Sequence, residues 1–222
     1  MKNIRFLVFD LDGTLIDSSD GVVESVNYSL RKMGQPEQPP EKIKPYIGFP
    51  LQQMYPAFTN APIEELYRHF RVKADEVVVA SSVMLEGVRD TLFLLKNNGY
   101  KMAIATTKVR RNIDGTLDMF HWHDIFTATV GGDEVAKVKP HPDAFLQALE
   151  KMGGTPENAL AVGDTINDVL AAQAVPMKIV AVNSPYGGLE ETQALKPDYT
   201  IGSLKELPAL LGLDAGTKGD AA

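Results

Sequence analysis

No cysteine occurs among the 222 residues. That excludes disulfides and thiolate metal sites, and it fits a reducing compartment. Also missing is any stretch approaching the roughly 18 consecutive apolar residues of a membrane span. The opening run, straight from Met1-Lys2-Asn3 into apolar residues, is too short and too soon followed by acids for a signal peptide. A cytoplasmic location is the expectation. Basic residues are in deficit: 22 Lys and Arg stand against 29 Asp and Glu, a net charge of −7 and a pI of about 5.1. That argues against nucleic acid and against anionic membranes as partners. An anionic substrate would then rest on a few local cations or on a metal. What remains is ordinary for a globular chain with a real core: 44% hydrophobic and 23% charged residues.

The sequence is organised around its first apolar run. Ile4 to Phe9, interrupted only by Arg5, reads as a buried parallel strand, and it ends in Asp10-Leu11-Asp12-Gly13-Thr14. In open α/β sheets, ligands bind at the carboxyl ends of strands. Two carboxylates placed there are therefore candidates for chemistry as well as for a turn.

From Asp17 the pattern is helical. N-cap candidates at 17–20 precede Val22, Val23, Val26, Leu30 and Met33 at helical spacing, and Gly34 with Pro36, Pro39 and Pro40 ends that element. Short helical pieces at Glu41 to Ile47 and Leu51 to Phe58 precede a longer helix from about Pro62, with no convincing strand before residue 83. From about Gly87, helix and strand alternate. Strands are expected at Lys101 to Ala105, Thr127 to Val130, Ala159 to Val162, Lys178 to Val182 and Tyr199 to Ile201. Alternation of this kind calls for a Rossmann-like parallel sheet wrapped on both faces. The expected organisation is an α/β core from 1–16 and 84–222, a helical insertion over 17–83 with hinges at its two connections, and a frayed tail over 214–222.

Polar groups then recur at or just beyond strand ends: Asp10 and Asp12, Thr106, Lys139, and Asp164 with Asp168. Clustered carboxylates need a cation, and all-oxygen ligation suits Mg²⁺ beside a phosphate. Lysine supplies charge to a phosphoryl group. One carboxylate can attack phosphorus while a second moves the proton.

In this order the residues resemble the haloacid dehalogenase superfamily of phosphatases with a helical cap. Phe9-Asp10-Leu11-Asp12-Gly13-Thr14-Leu15 matches the first motif and Ile104-Ala105-Thr106-Thr107-Lys108 the second. Lys139-Pro140-His141-Pro142-Asp143 matches the third, and Gly163-Asp164-Thr165-Ile166-Asn167-Asp168 the fourth. The resemblance covers nearly the whole chain. It implies Asp10 as nucleophile, Asp12 as general acid/base, and Thr106 and Lys139 on the phosphoryl group. It further implies Mg²⁺ held by Asp10, the backbone carbonyl of Asp12 and Asp164, with Asp168 supporting, and backbone amides around Gly13 and Thr107 on the phosphoryl oxygens. The acid at Asp12 favours phosphoester hydrolysis or phosphoryl transfer over dehalogenation or phosphonate cleavage.

Within the insertion, Lys44-Pro45-Tyr46-Ile47-Gly48-Phe49-Pro50-Leu51 resembles the cap segment of phosphoglycolate and pyrophosphate phosphatases. Lys44 and Gly48 are the candidate substrate contacts there. Phe49 stands where sugar-phosphate mutases of the group tend to carry arginine. The expected function is hydrolysis of a small phosphorylated metabolite, phosphoglycolate first, by a monomer or homodimer. Alternatives are a pyrophosphatase, a nucleotidase, a mutase, or a binding protein that kept the fold and lost turnover. His121-Trp122-His123 reads as packing ahead of a strand rather than as a metal pair.

Overall fold

A computed structural model describes residues 3–213; the tail expected at 214–222 lies outside the described residues. The chain runs β1 (Phe6–Phe9), β2 (Ile16–Asp17), α1 (Ser19–Lys32), α2 (Pro40–Ile43), α3 (Leu51–Met54), α4 (Ile63–Val77) and β3 (Val83–Met84). It continues through α5 (Val88–Asn97), β4 (Lys101–Ala105), α6 (Arg110–Phe120), β5 (Ala128–Val130), α7 (Asp143–Met152) and β6 (Ala159–Gly163). The last elements are α8 (Ile166–Gln173), β7 (Lys178–Val182), α9 (Leu189–Ala194), β8 (Tyr199–Ile201) and α10 (Leu207–Leu210).

Six of the strands form one sheet in the order β5-β4-β1-β6-β7-β8, parallel throughout. This is the Rossmann-like α/β fold expected from the alternating pattern. β1 lies at the centre, paired with β4 on one side and β6 on the other. The chain builds outward from β1 through β4 and β5, then returns to build β6, β7 and β8. β1 is thus the switch point, where ligand crevices form at strand ends.

Strand alternation sends Leu7 and Phe9 into the apolar cluster on one face and Phe6 and Val8 into that on the other. With Leu7, Val8 and Phe9 fully buried, each contributes about 1.5–3 kcal/mol by leaving water. Trp122 is buried in the first of these clusters, tilted against Phe120 and edge-on to Phe126, while His123 is exposed and bonded to Asp118.

Helices α1 to α4 build a third apolar cluster, joined by Tyr186 from the loop after β7, with α1 packed on α4 through Val22, Val26, Leu30, Leu66 and Ala74. Three details differ from the sequence pattern. The connections to this helical unit form an antiparallel ribbon, Ile16 opposite Met84 and Asp17 opposite Val83, too short to leave a periodic signal. The helical pieces at 41–47 and 51–58 each close in a 3₁₀ turn, Lys44–Tyr46 and Tyr55–Ala57, where Pro45 and Pro56 withhold an amide hydrogen. Helix α9, with Thr192 its buried residue, carries no apolar stripe to announce it. Among the described residues, no helix is long and apolar enough to cross a membrane.

Candidate active site

The carboxyl ends of β1, β4 and β6 bring the sequence-predicted residues together. Asp10 follows β1 directly, Thr106 follows β4, and Asp164 follows β6; all are at most 2% exposed. Asp168 lies in the first turn of α8, fully buried, and Lys139 enters from the loop before α7. Lys139 Nζ donates to Asp10 Oδ1 at 2.6 Å, to Asp168 Oδ1 at 2.5 Å and to the Ala105 carbonyl at 3.1 Å. The three hydrogens of the ammonium are thereby all used. The other oxygen of Asp168 accepts from the Thr165 amide at 3.0 Å and its hydroxyl at 2.7 Å, within a capping box that starts α8.

Asp164 accepts from Thr14 Oγ1 at 2.9 Å. Gly13 makes this approach possible. It sits at φ +80°, and a Cβ there would fall 2.1 Å from Asp164 Oδ2 and 2.6 Å from Ser184 Oγ.

Carboxylate oxygens of Asp10, Asp164 and Asp168 lie within 4.8 Å of one another. Burial pushes the Asp10 carboxyl up to about 7; Lys139 pulls against that, and Asp168 and Asp12 add repulsion. Burial also pushes Asp164 well above its usual range, with the charges of Asp10 and Asp168 adding. For Lys139 the opposite holds. Burial works against its charge, and the flanking Asp10 and Asp168 outweigh it, so the ammonium is held more firmly than usual. One lysine against three buried acids leaves a deficit of positive charge. An all-oxygen donor set with that deficit fits a hard divalent cation such as Mg²⁺.

Asp12 has different company. Its Oδ1 accepts a hydrogen bond from Ser18 Oγ and lies 3.1 Å from Lys108 Nζ. It lines a cavity of about 420 Å³ between the sheet ends and the helical unit, whose other walls include Tyr46, Gly48, Phe49, Tyr67, Arg71, Thr107 and Lys108. Thr107 Oγ1 donates to the Gly48 carbonyl at 3.2 Å, joining core to helical unit at the rim. At φ +92°, Gly48 brings its backbone against Thr165, where a Cβ would stand 3.0 Å from Cγ2. Two of the expected substrate contacts, Gly48 and Thr107, are therefore bonded to each other on the cavity wall. Gly13 lies instead against Asp164, and Lys44 is not among the lining residues; Arg71 and Lys108 are the cations there.

The sequence matches the haloacid dehalogenase-like hydrolase family over residues 7–182. The chain belongs to that family. It is 32% identical over 211 residues to pyrophosphatase PpaX of Bacillus cereus, covering 94% of this chain and 96% of that protein. Among solved structures it resembles a haloacid dehalogenase-like hydrolase, SP0104 of Streptococcus pneumoniae, at TM-score 0.87 and 26% identity over 95% of this chain and all of that one (100%). A predicted phosphoglycolate phosphatase from Haemophilus somnus matches at TM-score 0.84 and 25% identity, over 95% and 99% of the two chains. The protein is thus a hydrolase of this family, and these named relatives include phosphatases.

Sequence reasoning passed over Thr14, Ser18, Ser184 and Tyr186 as participants. Thr14 lies within the first motif and Ser18 three residues beyond it, so their hydroxyls were available as a signal. Ser184 and Tyr186 sit in a Pro/Gly-rich loop after β7, and nothing local marks them.

Proposed function

We propose that this protein is a Mg²⁺-dependent hydrolase of a small phosphomonoester, phosphoglycolate or a compound like it, acting through an aspartyl-phosphate on Asp10. The observation that carries this reading is the separation of two carboxylates two residues apart. Asp10 is embedded among Lys139, Asp164 and Asp168, whereas Asp12 faces the cavity with a serine and a lysine. Chemistry that needs a nucleophile and a separate proton carrier uses that division.

An Asp10 oxygen attacks phosphorus, the bond from phosphorus to the leaving oxygen breaks, and that oxygen takes a proton from Asp12. Water then loses a proton to Asp12 and attacks the same phosphorus. Phosphate leaves and the Asp10 carboxylate is restored. Asp10, the Asp12 carbonyl and Asp164 would hold Mg²⁺, with Asp168 supporting; the ion would neutralise phosphoryl charge when bound. Lys139 holds the Asp10 carboxylate and supplies positive charge beside the phosphoryl group, and Thr106 orients that group, assisted by amides near Gly13 and Thr107.

The walls of Tyr46, Phe49 and Tyr67 support an organic substrate sealed from bulk water. Kinship to PpaX supports pyrophosphate as a second reading. In the first, the substrate is a soluble phosphorylated metabolite met in the cytoplasm, with neither nucleic acid nor membrane as partner, by a monomer or homodimer.

The test is phosphate release from 2-phosphoglycolate, pyrophosphate, nucleoside monophosphates and hexose phosphates, each with Mg²⁺ and with chelator. Release from phosphoglycolate that disappears on chelation and in Asp10→Asn is the expected result. Undiminished turnover by purified Asp10→Asn would sink the mechanism, and a preference for pyrophosphate would install the second reading.

A further inference from the structure

One side chain belongs to the sheet core by sequence and to the helical unit by packing. Tyr186 follows β7, yet its ring lies in the apolar cluster of α1 to α4, 7% exposed. A tight turn puts it there: the Tyr186 amide donates to Ser184 Oγ at 3.2 Å, and Gly187 and Gly188 follow at φ +88° and +89°. Its hydroxyl accepts from the Ser18 amide at 3.0 Å and donates to Asp17 Oδ1 at 3.1 Å.

Ser18 is the N-cap of α1, and a serine in that position ordinarily turns its oxygen onto the free amides of the first turn. Here it makes no such bond. Its hydroxyl donates to Asp12 instead, and Asp17 Oδ1 accepts from the Ser19 amide at 2.8 Å in its place. The capping role has moved one residue back, and Ser18 is left free for the carboxylate on the cavity wall. The Tyr186 hydroxyl grips both halves of that exchange.

We propose that Tyr186 is a positioning residue for Asp12, acting through Ser18. The phenol fixes the Ser18 backbone by accepting its amide hydrogen and fixes Asp17 by donating to it. With both held, the Ser18 backbone presents its hydroxyl toward Asp12 Oδ1, and Lys108 Nζ bridges the two, 3.1 Å from Asp12 Oδ1 and donating to Ser18 Oγ at 3.4 Å. The inference rests on Asp12 being the proton carrier of the reaction proposed above. It adds that proton delivery depends on a hydroxyl from the loop after β7, two strands along the sheet from β1.

The experiment uses leaving groups. An alkoxide leaving from 2-phosphoglycolate needs its proton, whereas 4-nitrophenolate leaving from 4-nitrophenyl phosphate does not. Tyr186→Phe removes the hydroxyl and keeps the ring in its cluster. Asp12 also takes the proton from water in the second step, which both esters share, so the first step is read in single turnover: release of glycolate from 2-phosphoglycolate falls about 10-fold, with the burst of 4-nitrophenolate and the binding of both esters within about 2-fold. Ser18→Ala shows the same split, and the double variant falls no further than Ser18→Ala alone, because the two act in series. Equal losses on both substrates, or losses that multiply in the double variant, overturn the proposal. A crystal structure of Tyr186→Phe decides the geometry without turnover: displacement of Asp12 from Ser18 supports the proposal, and an unchanged contact overturns it. Wild-type protein that hydrolyses neither ester would refute the proposed function and leave that structural result to stand.

Discussion

The sheet core and the helical unit handle charge in opposite ways. At the strand ends of the core, charged groups are buried and held by specific partners: Lys139 meets Asp10, Asp168 and a carbonyl, and Asp168 spends its second oxygen on Thr165. In the helical unit the ion pairs are solvent-facing. Arg31 pairs with Glu24 and Glu37, Arg68 with Glu65, and Lys73 with Glu76. Exposed pairs of that kind contribute about 0–1 kcal/mol. The core therefore fixes charge in place for chemistry. The helical unit offers the cavity mostly apolar and aromatic surface, which can vary without disturbing the reacting groups.

Lys139→Met tests that contrast most severely. The substitution keeps the length of the stem and leaves Asp10 and Asp168 buried without their counter-charge, which costs about 3–5 kcal/mol of stability at neutral pH. Turnover should fall by about 10²-fold or more, since a positioned cation at the phosphoryl group is lost. Urea unfolding at pH 7 and phosphate release measure the two effects. A destabilisation under about 1 kcal/mol would show that the buried acids are compensated by something other than this lysine.

The pH dependence of cation binding sharpens the same point. Asp10 carries a folded-state pKa of about 7 against an ordinary 3.8, and Asp164 is shifted the same way. A folded-state value above the unfolded one means that the native protein holds the proton more tightly. The resulting stabilisation is complete below about pH 4 and is lost as pH rises through about 7. A divalent cation replaces those protons. The rise in Tm from Mg²⁺ over chelator should therefore be small near pH 4.5 and grow toward pH 7.5. Taking the difference between the two conditions cancels carboxylates elsewhere, such as Glu65, which Arg68 shifts down, and Glu134, where burial is outweighed by the Gly131 amide and Arg110. An increment that stays flat across this range would place the cation away from these acids.

How much was legible in the sequence follows the same division. Lys101–Ala105, Lys178–Val182, Tyr199–Ile201 and Val88–Asn97 lie in the structure where the pattern put them, because a continuous apolar run or a helical stripe bounded by turn residues has one reading. The sheet-end acids were legible for a related reason: a charge at the tip of a buried strand has few explanations. In the helical unit, prolines at 45 and 56 cut the pattern into pieces shorter than a period can register. The Tyr186 hydroxyl was invisible for another cause. It meets Ser18 across 168 residues of chain, and a contact at that separation leaves no local trace.

Phe49 carries the smallest of these effects and the sharpest test of the division. It is half-buried on the cavity wall, edge-on to Tyr46 with ring centroids 6.4 Å apart. Such a pair contributes about 0.5–1.5 kcal/mol beyond the area it buries, so Phe49→Ala at a half-buried ring should cost about 1–3 kcal/mol in stability. If the helical unit selects and the core reacts, the variant raises KM for an organic phosphate a few-fold and leaves kcat within about 2-fold, the signature of lost uniform binding. Pyrophosphate, which has no organic group to rest on that ring, should be hydrolysed with unchanged KM if it is hydrolysed at all. A collapse of kcat comparable to that of Lys139→Met would break the comparison, for it would mean that an aromatic ring on the helical side sets the geometry of Asp12 as firmly as the buried charges set that of Asp10.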